Sequence, residues 1–486
     1  MEQWVNGINS WVWSPVLVYL CLAVGLYFSL KTRFMQVRHF GEMVRQMFRG
    51  RSSDAGVSSF QALTIALSGR VGTGNIAGVA TAIAFGGPGA VFWMWMVAFL
   101  GAATAYIEST LGQIYKVKQR GLYRGGPAYY IEAGLGWRTY AIVFAVSTVF
   151  ACGLLLPGVQ TNSIAAAMEN AFGVAPAVTG TLIVILLGLI VFGGVRRIAQ
   201  VTQIVVPFMA LGYVLAASVV ILLNIEKLPG VISLILSSAL GFEAGFGAMI
   251  GLAIQWGVKR GVYSNEAGQG SGPHAAAAAE VSHPAAQGLV QAFSVYIDTL
   301  FVCSATAFMI LIAGTYNVSG PDGAPVFTGL AGIAVGTGYT QAAMESVLPG
   351  FGSIFVAVAL FFFAFTTVLA YYYIAETNLA YLTRNAHSDT LVFLLRVALI
   401  ASALYGCVRT SELAWGLGDI GVGIMAWLNI VAILVLRKPA MLALKDYEDQ
   451  KQAGRLQPQF DPRPLGIDNA DLWVKRAERL RRGEVD

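Results

Sequence analysis

Ser68-Gly69-Arg70-Val71-Gly72-Thr73-Gly74-Asn75 interrupts an apolar run that otherwise extends from residue 60 to residue 83. Three glycines within six residues weaken a helix by roughly 1 kcal/mol each relative to alanine. Asn75 adds a polar side chain near the centre of the run. Since about 20 mostly apolar residues suffice to cross a bilayer, the stretch predicts a membrane-spanning helix that is broken near its middle.

A second stretch of the same kind occurs in the other half of the chain. Residues 261–270 read Gly-Val-Tyr-Ser-Asn-Glu-Ala-Gly-Gln-Gly, and Asn265 lies 190 residues after Asn75. A run of small residues follows from Gly272 to Ala279. Membrane transporters often contain two repeats of inverted topology, each with a broken helix whose interruption forms the substrate site. The paired breaks therefore indicate a transporter.

The composition is that of a membrane protein. Of the 486 residues, 56% are hydrophobic and 12% are charged, and the mean hydropathy is +0.66. Soluble domains carry roughly 25% charged residues, so a large soluble enzyme is excluded. The four cysteines form no CxxC pair and the four histidines are scattered, which argues against a disulfide framework or a metal centre. Basic residues are not interleaved with aromatic ones, so no nucleic-acid partner is expected.

Eleven apolar segments are long enough to be transmembrane helices. They do not alternate as barrel strands would. The first has no basic region before it and is therefore interpreted as a retained helix, not a signal peptide. The predicted spans are 14–32, 60–83, 89–115, 139–158, 176–194, 204–224, 243–260, 287–314, 351–380, 390–408 and 413–436.

Lysine and arginine are concentrated in alternate loops. Such residues favour the cytoplasmic side, so we expect a bacterial inner-membrane protein with a periplasmic N-terminus and a cytoplasmic C-terminus. The charged tail after the last span is interpreted as a solvated appendage, with a regulatory or lipid-binding role as the alternative. The basic loops contain Arg33, Arg38, Arg45, Arg49 and Arg51; Lys116, Lys118, Arg120, Arg124 and Arg138; Arg196 and Arg197; and Arg384.

The spans suggest an all-α protein with two repeats of five helices each. Because five is odd, the second repeat must be inverted relative to the first. The expected organisation is an extra N-terminal helix with a basic cytoplasmic loop (1–59), the first repeat (60–230), the second repeat (231–436) and the cytoplasmic tail (437–486).

A broken helix offers backbone groups to ligands. Freed N–H groups at the start of a half-helix bind a carboxylate with help from the helix dipole, and freed carbonyls coordinate Na⁺. Thr366 and Thr367, in the middle of span nine, would complete a Na⁺ site against the carbonyls of the first break. The alternatives are hydroxyls that bond back to their own helix, glycines that serve close packing, and an Asn75 that makes only an interhelical hydrogen bond.

Ionisable residues within the membrane need a partner or a function. Arg70 lies beside the first break, and Glu108, Asp298 and Glu376 lie in spans three, eight and nine. We expect structural pairing, for instance of Arg70 with one of these acids, and a proton-relay or gating role is the alternative. Asp419 in span eleven has no predicted role.

The chain resembles the alanine/glycine:cation symporters, also called sodium:alanine symporters. The resemblance rests on GGPGAVFWMWMVAFLG at 86–101, on VGTGNIAGVATAIAFGGPG before it, and on three further blocks. These are GGPAYYIEAGLG at 125–136, GVKRGVYSNEAGQGSGPHAAAAA at 257–279 and HPAAQGLV at 283–290. It implies a leucine-transporter-type fold, Na⁺ as the coupling ion, and symport of alanine, glycine or another small neutral amino acid.

The resemblance also implies roles for individual residues. Gly72, Thr73, Gly74 and Asn75 match the segment that binds the substrate carboxylate, and Tyr263 and Asn265 belong to the partner break. The carbonyls of Ser68 and Val71, with the hydroxyls of Thr366 and Thr367, match a sodium site.

Three positions depart from the family pattern. Ala370 and Tyr371 stand where many members have a glycine and a pocket tryptophan, which puts the choice of substrate in doubt and raises serine as a further candidate. Arg70 stands where many members have a small residue. A Na⁺-independent or proton-coupled facilitator or channel on the same scaffold is the runner-up function. A membrane-embedded enzyme is disfavoured because the metal clusters, nucleophile elbows and phosphate loops of enzymes are not found in the sequence.

Overall fold

The protein is built almost entirely of helices. The computed structural model describes residues 2–50, 52–242, 249–384 and 388–483. Within these ranges the α-helices are Glu2–Val12 (α1), Pro15–Lys31 (α2), Met35–Arg38 (α3), Phe40–Met47 (α4), Ser59–Arg70 (α5), Val79–Gly86 (α6), Gly89–Ile114 (α7), Pro127–Leu135 (α8), Arg138–Phe150 (α9), Leu156–Phe172 (α10), Pro176–Val191 (α11), Gly194–Leu223 (α12), Leu228–Leu240 (α13), Ile250–Asn265 (α14), Gly272–Ala278 (α15), Pro284–Tyr296 (α16), Ser304–Ala313 (α17), Thr337–Val347 (α18), Gly352–Leu382 (α19), Asp389–Cys407 (α20), Ser411–Val435 (α21), Arg437–Gln452 (α22) and Asp471–Arg481 (α23).

Eight helical stretches of the described residues are long and apolar enough to cross a membrane. Each overlaps one of the predicted spans one, three, four, six, eight, nine, ten or eleven. The fourth is longer than predicted, because the helix continues past residue 158 to Phe172. The eight are Glu2–Lys31, Gly89–Ile114, Arg138–Phe172, Arg197–Leu223, Pro284–Ala313, Gly352–Leu382, Asp389–Cys407 and Ser411–Val435.

The other three predicted spans do not reach that length within the described residues. The second is split into α5, a π-helical turn at Gly74–Gly78, and α6. The fifth is the apolar helix Pro176–Val191, of 16 residues. The seventh is α14, which ends at a break, and residues 243–248 of its predicted span lie outside the described residues. The count of eleven and the five-plus-five repeat therefore stay predictions.

The helices form an enclosed centre and a more open periphery. In the central stretch Pro284–Ala313, 78% of the residues in its 18-residue apolar segment are buried. In the corresponding segments of Arg197–Leu223 and Asp389–Cys407 only 28% are buried. α12 exposes a stripe of large apolar side chains at helical spacing, as a helix facing lipid does. The stripe consists of Ile204, Phe208, Leu211, Leu215 and Leu222.

Short antiparallel hairpins join some helices. β1 (Val117–Gln119) pairs with β2 (Leu122–Arg124), with Lys118 opposite Tyr123. β3 (Asn317–Ser319) pairs with β4 (Pro325–Thr328) between α17 and α18. A parallel bridge between Val57 and Ala279 ties the segment before α5 to the segment after α15.

The charged tail folds back onto the helices, so its interpretation as a solvated appendage is wrong. α22 packs against α7 and α16. Trp473 of α23 is fully buried, and its indole N–H donates to the carbonyl of Gln113 just before the end of α7 (2.8 Å). Phe460 packs edge-on against the Trp473 ring, with 5.3 Å between the ring centroids. Aromatic anchors such as these outweigh the charged composition of the segment.

Electrostatic contacts hold the tail against α4. Burial alone would raise the pKa of the Glu42 carboxyl, but hydrogen bonds led by that from Tyr447, and the ammonium of Lys451, lower this pKa to about 2. Glu42 is therefore charged at neutral pH. Glu448 of α22 accepts from Arg38 (2.8 Å) in the segment after the first span.

Candidate functional site

The first break redirects two backbone N–H groups to side-chain oxygens. In a continuous helix the N–H of Gly72 would bond to the carbonyl of Ser68. Here it donates to Oδ1 of Asn75 (2.8 Å). The N–H of Thr73 donates to Oε1 of Gln160 on α10 (3.0 Å). The Ser68 carbonyl thereby loses its helical partner, as predicted for an interrupted helix.

The glycines of this break are required by close neighbours. A methyl group on Gly72 would overlap Oγ1 of Thr367 and would lie 3.0 Å from Oε1 of Gln160. A methyl group on Gly74 would lie 3.1 Å from Cα of Ser264 on α14. The two glycines therefore allow α10, α14 and α19 to pack closely against the break. Close packing and ligand binding are compatible interpretations, because the same contacts bring side chains of these helices to the break.

The second break begins later than predicted. The helix continues through Gly261, which packs against α7, and it ends at Asn265. The chain then turns through Glu266 (φ 58°), Gly268 (φ 82°) and Gly270 (φ 84°) before α15 begins. The prediction that residues 261–264 belong to the break is wrong, because the glycine there serves helix packing.

A buried carboxylate holds the turn of the second break. Glu108 on α7 accepts from the backbone N–H groups of Gly268 (3.3 Å) and Gly270 (3.2 Å). It also accepts from Nδ2 of Asn429 on α21 (2.7 Å). Glu108 is fully buried. The sequence predicted only that Glu108 would have a structural partner. In the structure Glu108 fixes the backbone of the second break.

Asn265 closes the turn that follows it. Its Oδ1 accepts from the N–H of Ala267 (3.0 Å), and its Nδ2 donates to Oγ1 of Thr299 (3.3 Å). Both ends of the amide are therefore used within the protein. The same holds for Asn75, whose oxygen caps the first break and whose Nδ2 donates to Asp298.

Asp298 connects the two breaks. One carboxylate oxygen accepts from Nδ2 of Asn75 at the first break (2.6 Å) and from Oγ of Ser264 before the second (3.1 Å). The other accepts from the hydroxyl of Thr299 (2.7 Å). All these groups are buried. Charge-assisted hydrogen bonds of this kind are stronger than neutral ones, so Asp298 couples the positions of the two breaks.

Arg70 is held by uncharged groups. One of its terminal nitrogens donates to the carbonyl of Gln291 (3.1 Å) and to the hydroxyl of Ser294. The carboxylate beside this turn of α5 is Glu266, one oxygen of which would lie 3.2 Å from a methyl group on Gly69. In the described part of the chain Arg70 makes no ion pair, so its predicted pairing with an acid is wrong for Glu108, Asp298 and Glu376.

The remaining buried acids have basic partners. Glu376 accepts from Arg124 (3.1 Å). Asp419, for which the sequence predicted no role, lies 2.7 Å from the ammonium of Lys259 and 2.6 Å from the guanidinium of Arg260. A buried charge needs such partners, and these pairs tie α14 to α21 and the second hairpin strand to α19.

The two threonines of α19 face different neighbours. The hydroxyl of Thr367 donates to the carbonyl of Phe363 (3.0 Å) and lies against Gly72 at the first break. The hydroxyl of Thr366 bonds to its own helix and lies 4.0 Å from the sulfur of Met209 on α12. Back-bonding thus occurs at both positions, and only Thr367 is brought to the first break.

Two tyrosines and a glutamine lie beside the first break. Tyr371 is 2% exposed and Tyr263 is 3% exposed, and the buried hydroxyl of Tyr263 has no hydrogen-bond partner among the described residues. The ring of Tyr263 packs against Trp415, with 5.1 Å between the centroids. Gln160 was missed by the sequence argument because the predicted span ended at residue 158. A longer helix would have placed this amide inside the bundle.

The chain matches one protein family and several relatives along nearly its full length. The model described as the sodium:alanine symporter family matches residues 1–462. A putative sodium/proton-dependent alanine carrier protein from Bacillus subtilis (strain 168) is 63% identical over 475 residues, covering 98% of each chain. A sodium/proton-dependent alanine carrier protein from Bacillus sp. (strain PS3) is 53% identical over 90% of this chain and 98% of that protein.

A solved structure supports the architecture. The crystal structure of a manganese transporter from Eremococcus coleocola, in complex with an aromatic bis-isothiourea substituted compound, matches with a TM-score of 0.50. The match covers 86% of this chain and 91% of that chain at 11% sequence identity. At this identity the likeness shows the fold alone, which is multi-helical.

Proposed function

The chain belongs to the sodium:alanine symporter family, so it is a multi-pass membrane transporter and not an enzyme, and we propose that it couples uptake of a small neutral amino acid to Na⁺. The proposed substrates are alanine and glycine, with serine as a competitor, carried into the cytoplasm by alternating access. The observation that carries the proposal is the first break, where neutral amide oxygens hold two backbone N–H groups.

The substrate carboxylate is proposed to bind at Gly72, Thr73 and Gly74. A charged acceptor forms stronger hydrogen bonds than a neutral one, so a carboxylate can displace the amide oxygen of Gln160 from the N–H of Thr73. The start of a half-helix adds a favourable dipole. Asn75, Tyr263, Asn265 and Tyr371 complete the proposed pocket, and the buried hydroxyl of Tyr263, which has no partner among the described residues, supports its inclusion.

The coupling ion is proposed to bind the carbonyls of Ser68 and Val71 and the hydroxyls of Thr366 and Thr367. Na⁺, like other hard cations, prefers oxygen ligands. The released Ser68 carbonyl and the proximity of Thr367 to Gly72 support the site. Because the Thr366 hydroxyl is near Met209, we expect it to contribute less than Thr367.

Uptake into proteoliposomes tests this function directly. The purified protein is reconstituted into vesicles that contain no amino acid, and uptake of labelled amino acids is compared under Na⁺, Li⁺ and H⁺ gradients. We expect accumulation of alanine and glycine only with inward Na⁺. Proton coupling is the second candidate, because both Bacillus relatives are named sodium/proton-dependent, and accumulation driven by H⁺ alone would favour it. Uptake without any gradient would point to a facilitator.

Site-directed labelling tests the proposed orientation in a bacterial inner membrane. In a cysteine-free variant, a cysteine at exposed Asp322, between β3 and β4, should react with an impermeant reagent from the periplasm. A cysteine at exposed Arg455 in the tail should react only after permeabilisation. The reverse pattern at either position would contradict the periplasmic N-terminus and cytoplasmic tail.

A further inference from the structure

A cavity of about 1400 Å³ lies where the tail meets the bundle, and it shares no residue with the two breaks. Its walls are formed by segments within 46–59, 116–123, 280–286 and 447–482. The first three segments lead into α5, follow α7 and lead into α16. Because membrane helices begin or end at these segments, the cavity lies at the level of a membrane surface.

Basic side chains predominate in the lining of this cavity. Two of the acidic side chains are already engaged within the protein, because Glu280 accepts from Ser53 (2.7 Å) and Arg476 (3.2 Å), and Glu478 pairs with Arg463 (3.2 Å). The lining includes seven basic residues and four acidic ones, namely Arg49, Lys116, Lys118, Lys475, Arg476, Arg479 and Arg482 against Asp54, Glu280, Asp471 and Glu478.

Three of the basic side chains are available to a ligand. Lys118, Lys475 and Arg479 are exposed, and none of them forms an ion pair with a residue in the described ranges. Lys475 and Arg479 are four residues apart and therefore share one face of α23. Lys118 comes from the β1–β2 hairpin. Cationic groups from two separate elements thus face one space, a typical arrangement for binding a phosphate.

Apolar side chains are exposed at the same place. Leu456 lines the cavity and is 78% exposed. Phe48 immediately precedes the lining residue Arg49, is 72% exposed and stacks against Phe60 of α5. Inorganic phosphate gains no binding energy from apolar neighbours, whereas a phospholipid presents an anionic headgroup and apolar chains together. The combination therefore favours a lipid.

We propose that this cavity binds an anionic phospholipid, whose phosphate contacts Lys118, Lys475 and Arg479 and whose acyl chains lie along Phe48 and Leu456. The lipid bridges the tail helix α23 to the hairpin that follows α7. It thereby adds to the protein contacts that keep the tail docked, such as that of Trp473 with Gln113.

Native mass spectrometry of the full-length protein with added phosphatidylglycerol or phosphatidylcholine tests the proposal. We expect wild-type protein to bind phosphatidylglycerol more tightly. The combined variant Lys118→Gln, Lys475→Gln and Arg479→Gln should lose roughly 100-fold in that affinity, since each basic residue near an anionic lipid contributes about fivefold. A combined variant that retains wild-type affinity for phosphatidylglycerol would overturn the site.

A matched variant separates the cavity from general surface charge. Arg120→Gln, Lys438→Gln and Lys445→Gln remove the same charge from exposed positions outside the cavity, and affinity should change less than about twofold. An equal loss in this control would show nonspecific attraction and overturn the proposal.

Two further measurements test the lipid assignment itself. Phe48→Ser with Leu456→Ser should weaken phosphatidylglycerol binding severalfold while leaving binding of inorganic phosphate unchanged. Inorganic phosphate that displaces the lipid at equal concentration would show that the cavity binds free phosphate and not a lipid. Circular dichroism and size-exclusion profiles confirm that each variant is folded.

Discussion

The two helix breaks differ in how their freed backbone groups are held. At the first break the N–H groups of Gly72 and Thr73 donate to two separate amide oxygens, of Asn75 and Gln160. At the second, Gly268 and Gly270 both donate to Glu108, which also accepts from Asn429 of α21. Loss of Glu108 would leave three buried donors unsatisfied, each at a cost of roughly 1–3 kcal/mol, whereas a ligand that displaces Gln160 frees only one amide oxygen. We therefore interpret the first break as the place where a ligand can replace a protein group, and the second as a fixed support.

Glu108→Ala should have the largest effect of any single substitution at the breaks. It leaves the two backbone N–H groups and Nδ2 of Asn429 without this acceptor, and each buried unsatisfied donor costs roughly 1–3 kcal/mol. We expect a large fall in the thermal unfolding temperature in detergent and loss of alanine binding. Glu169→Ala, at an exposed position of α10, is the control. Equal unfolding temperatures for both variants would show that Glu108 does not hold the second break.

Gln160→Glu tests the first break by placing a negative charge where the substrate carboxylate is proposed to bind. Juxtaposed like charges cost several kcal/mol, so we expect the apparent affinity for alanine to fall by about 100-fold or more, with the size-exclusion profile in detergent confirming that the variant is folded. Gln160→Met, which removes the amide without adding charge, should fall between this variant and wild type. Wild-type alanine affinity in Gln160→Glu would place the carboxylate elsewhere.

The existence of both breaks could be predicted from sequence because it depends on local composition. Clustered glycines weaken a helix wherever they occur, and the cost of a charge in the membrane marks Glu108 and Asp298 as residues that must have partners. Which partners they have depends on the tertiary arrangement. Glu108 bonds to Gly268, which lies 160 residues away, and nothing in the local pattern indicates that choice.

The sequence predictions that were wrong or incomplete also failed because they rested on local pattern alone. Gln160 was missed because a hydropathy criterion ends the helix where polar residues begin, although the helix continues into the protein interior. Gly261 was assigned to the break because a glycine that permits close packing resembles one that ends a helix. The tail was interpreted as solvated from its charge, but burial of Trp473 decides its position.

Thr367→Ala and Thr366→Ala test whether the first break also binds the proposed coupling ion, Na⁺. Thr367 lies against the first break, whereas Thr366 faces Met209. Loss of a ligand oxygen in a dry site costs on the order of 1–3 kcal/mol, so Thr367→Ala should raise the Na⁺ concentration for half-maximal uptake about tenfold or more. Thr366→Ala should raise it less. Unchanged Na⁺ dependence in both variants would show that the proposed ion site is wrong.

Tyr371→Trp should have the smallest effect, because it changes only the wall of the proposed pocket. Tyr371 is buried one helical turn after Thr367, and it occupies less volume than an indole. The side chain of serine needs more space than the hydrogen of glycine, and its hydroxyl can bond to that of Tyr371. The substitution to tryptophan removes both the space and the hydroxyl. One methylene group discriminates by only about 1–3 kcal/mol in an apolar pocket. We therefore expect competition by serine to weaken severalfold and competition by glycine to change little, measured as inhibition of labelled alanine uptake in proteoliposomes. Equal changes for both competitors would show that Tyr371 does not contact the substrate side chain, and the selectivity of the first break would then have to come from Tyr263 or Gln160.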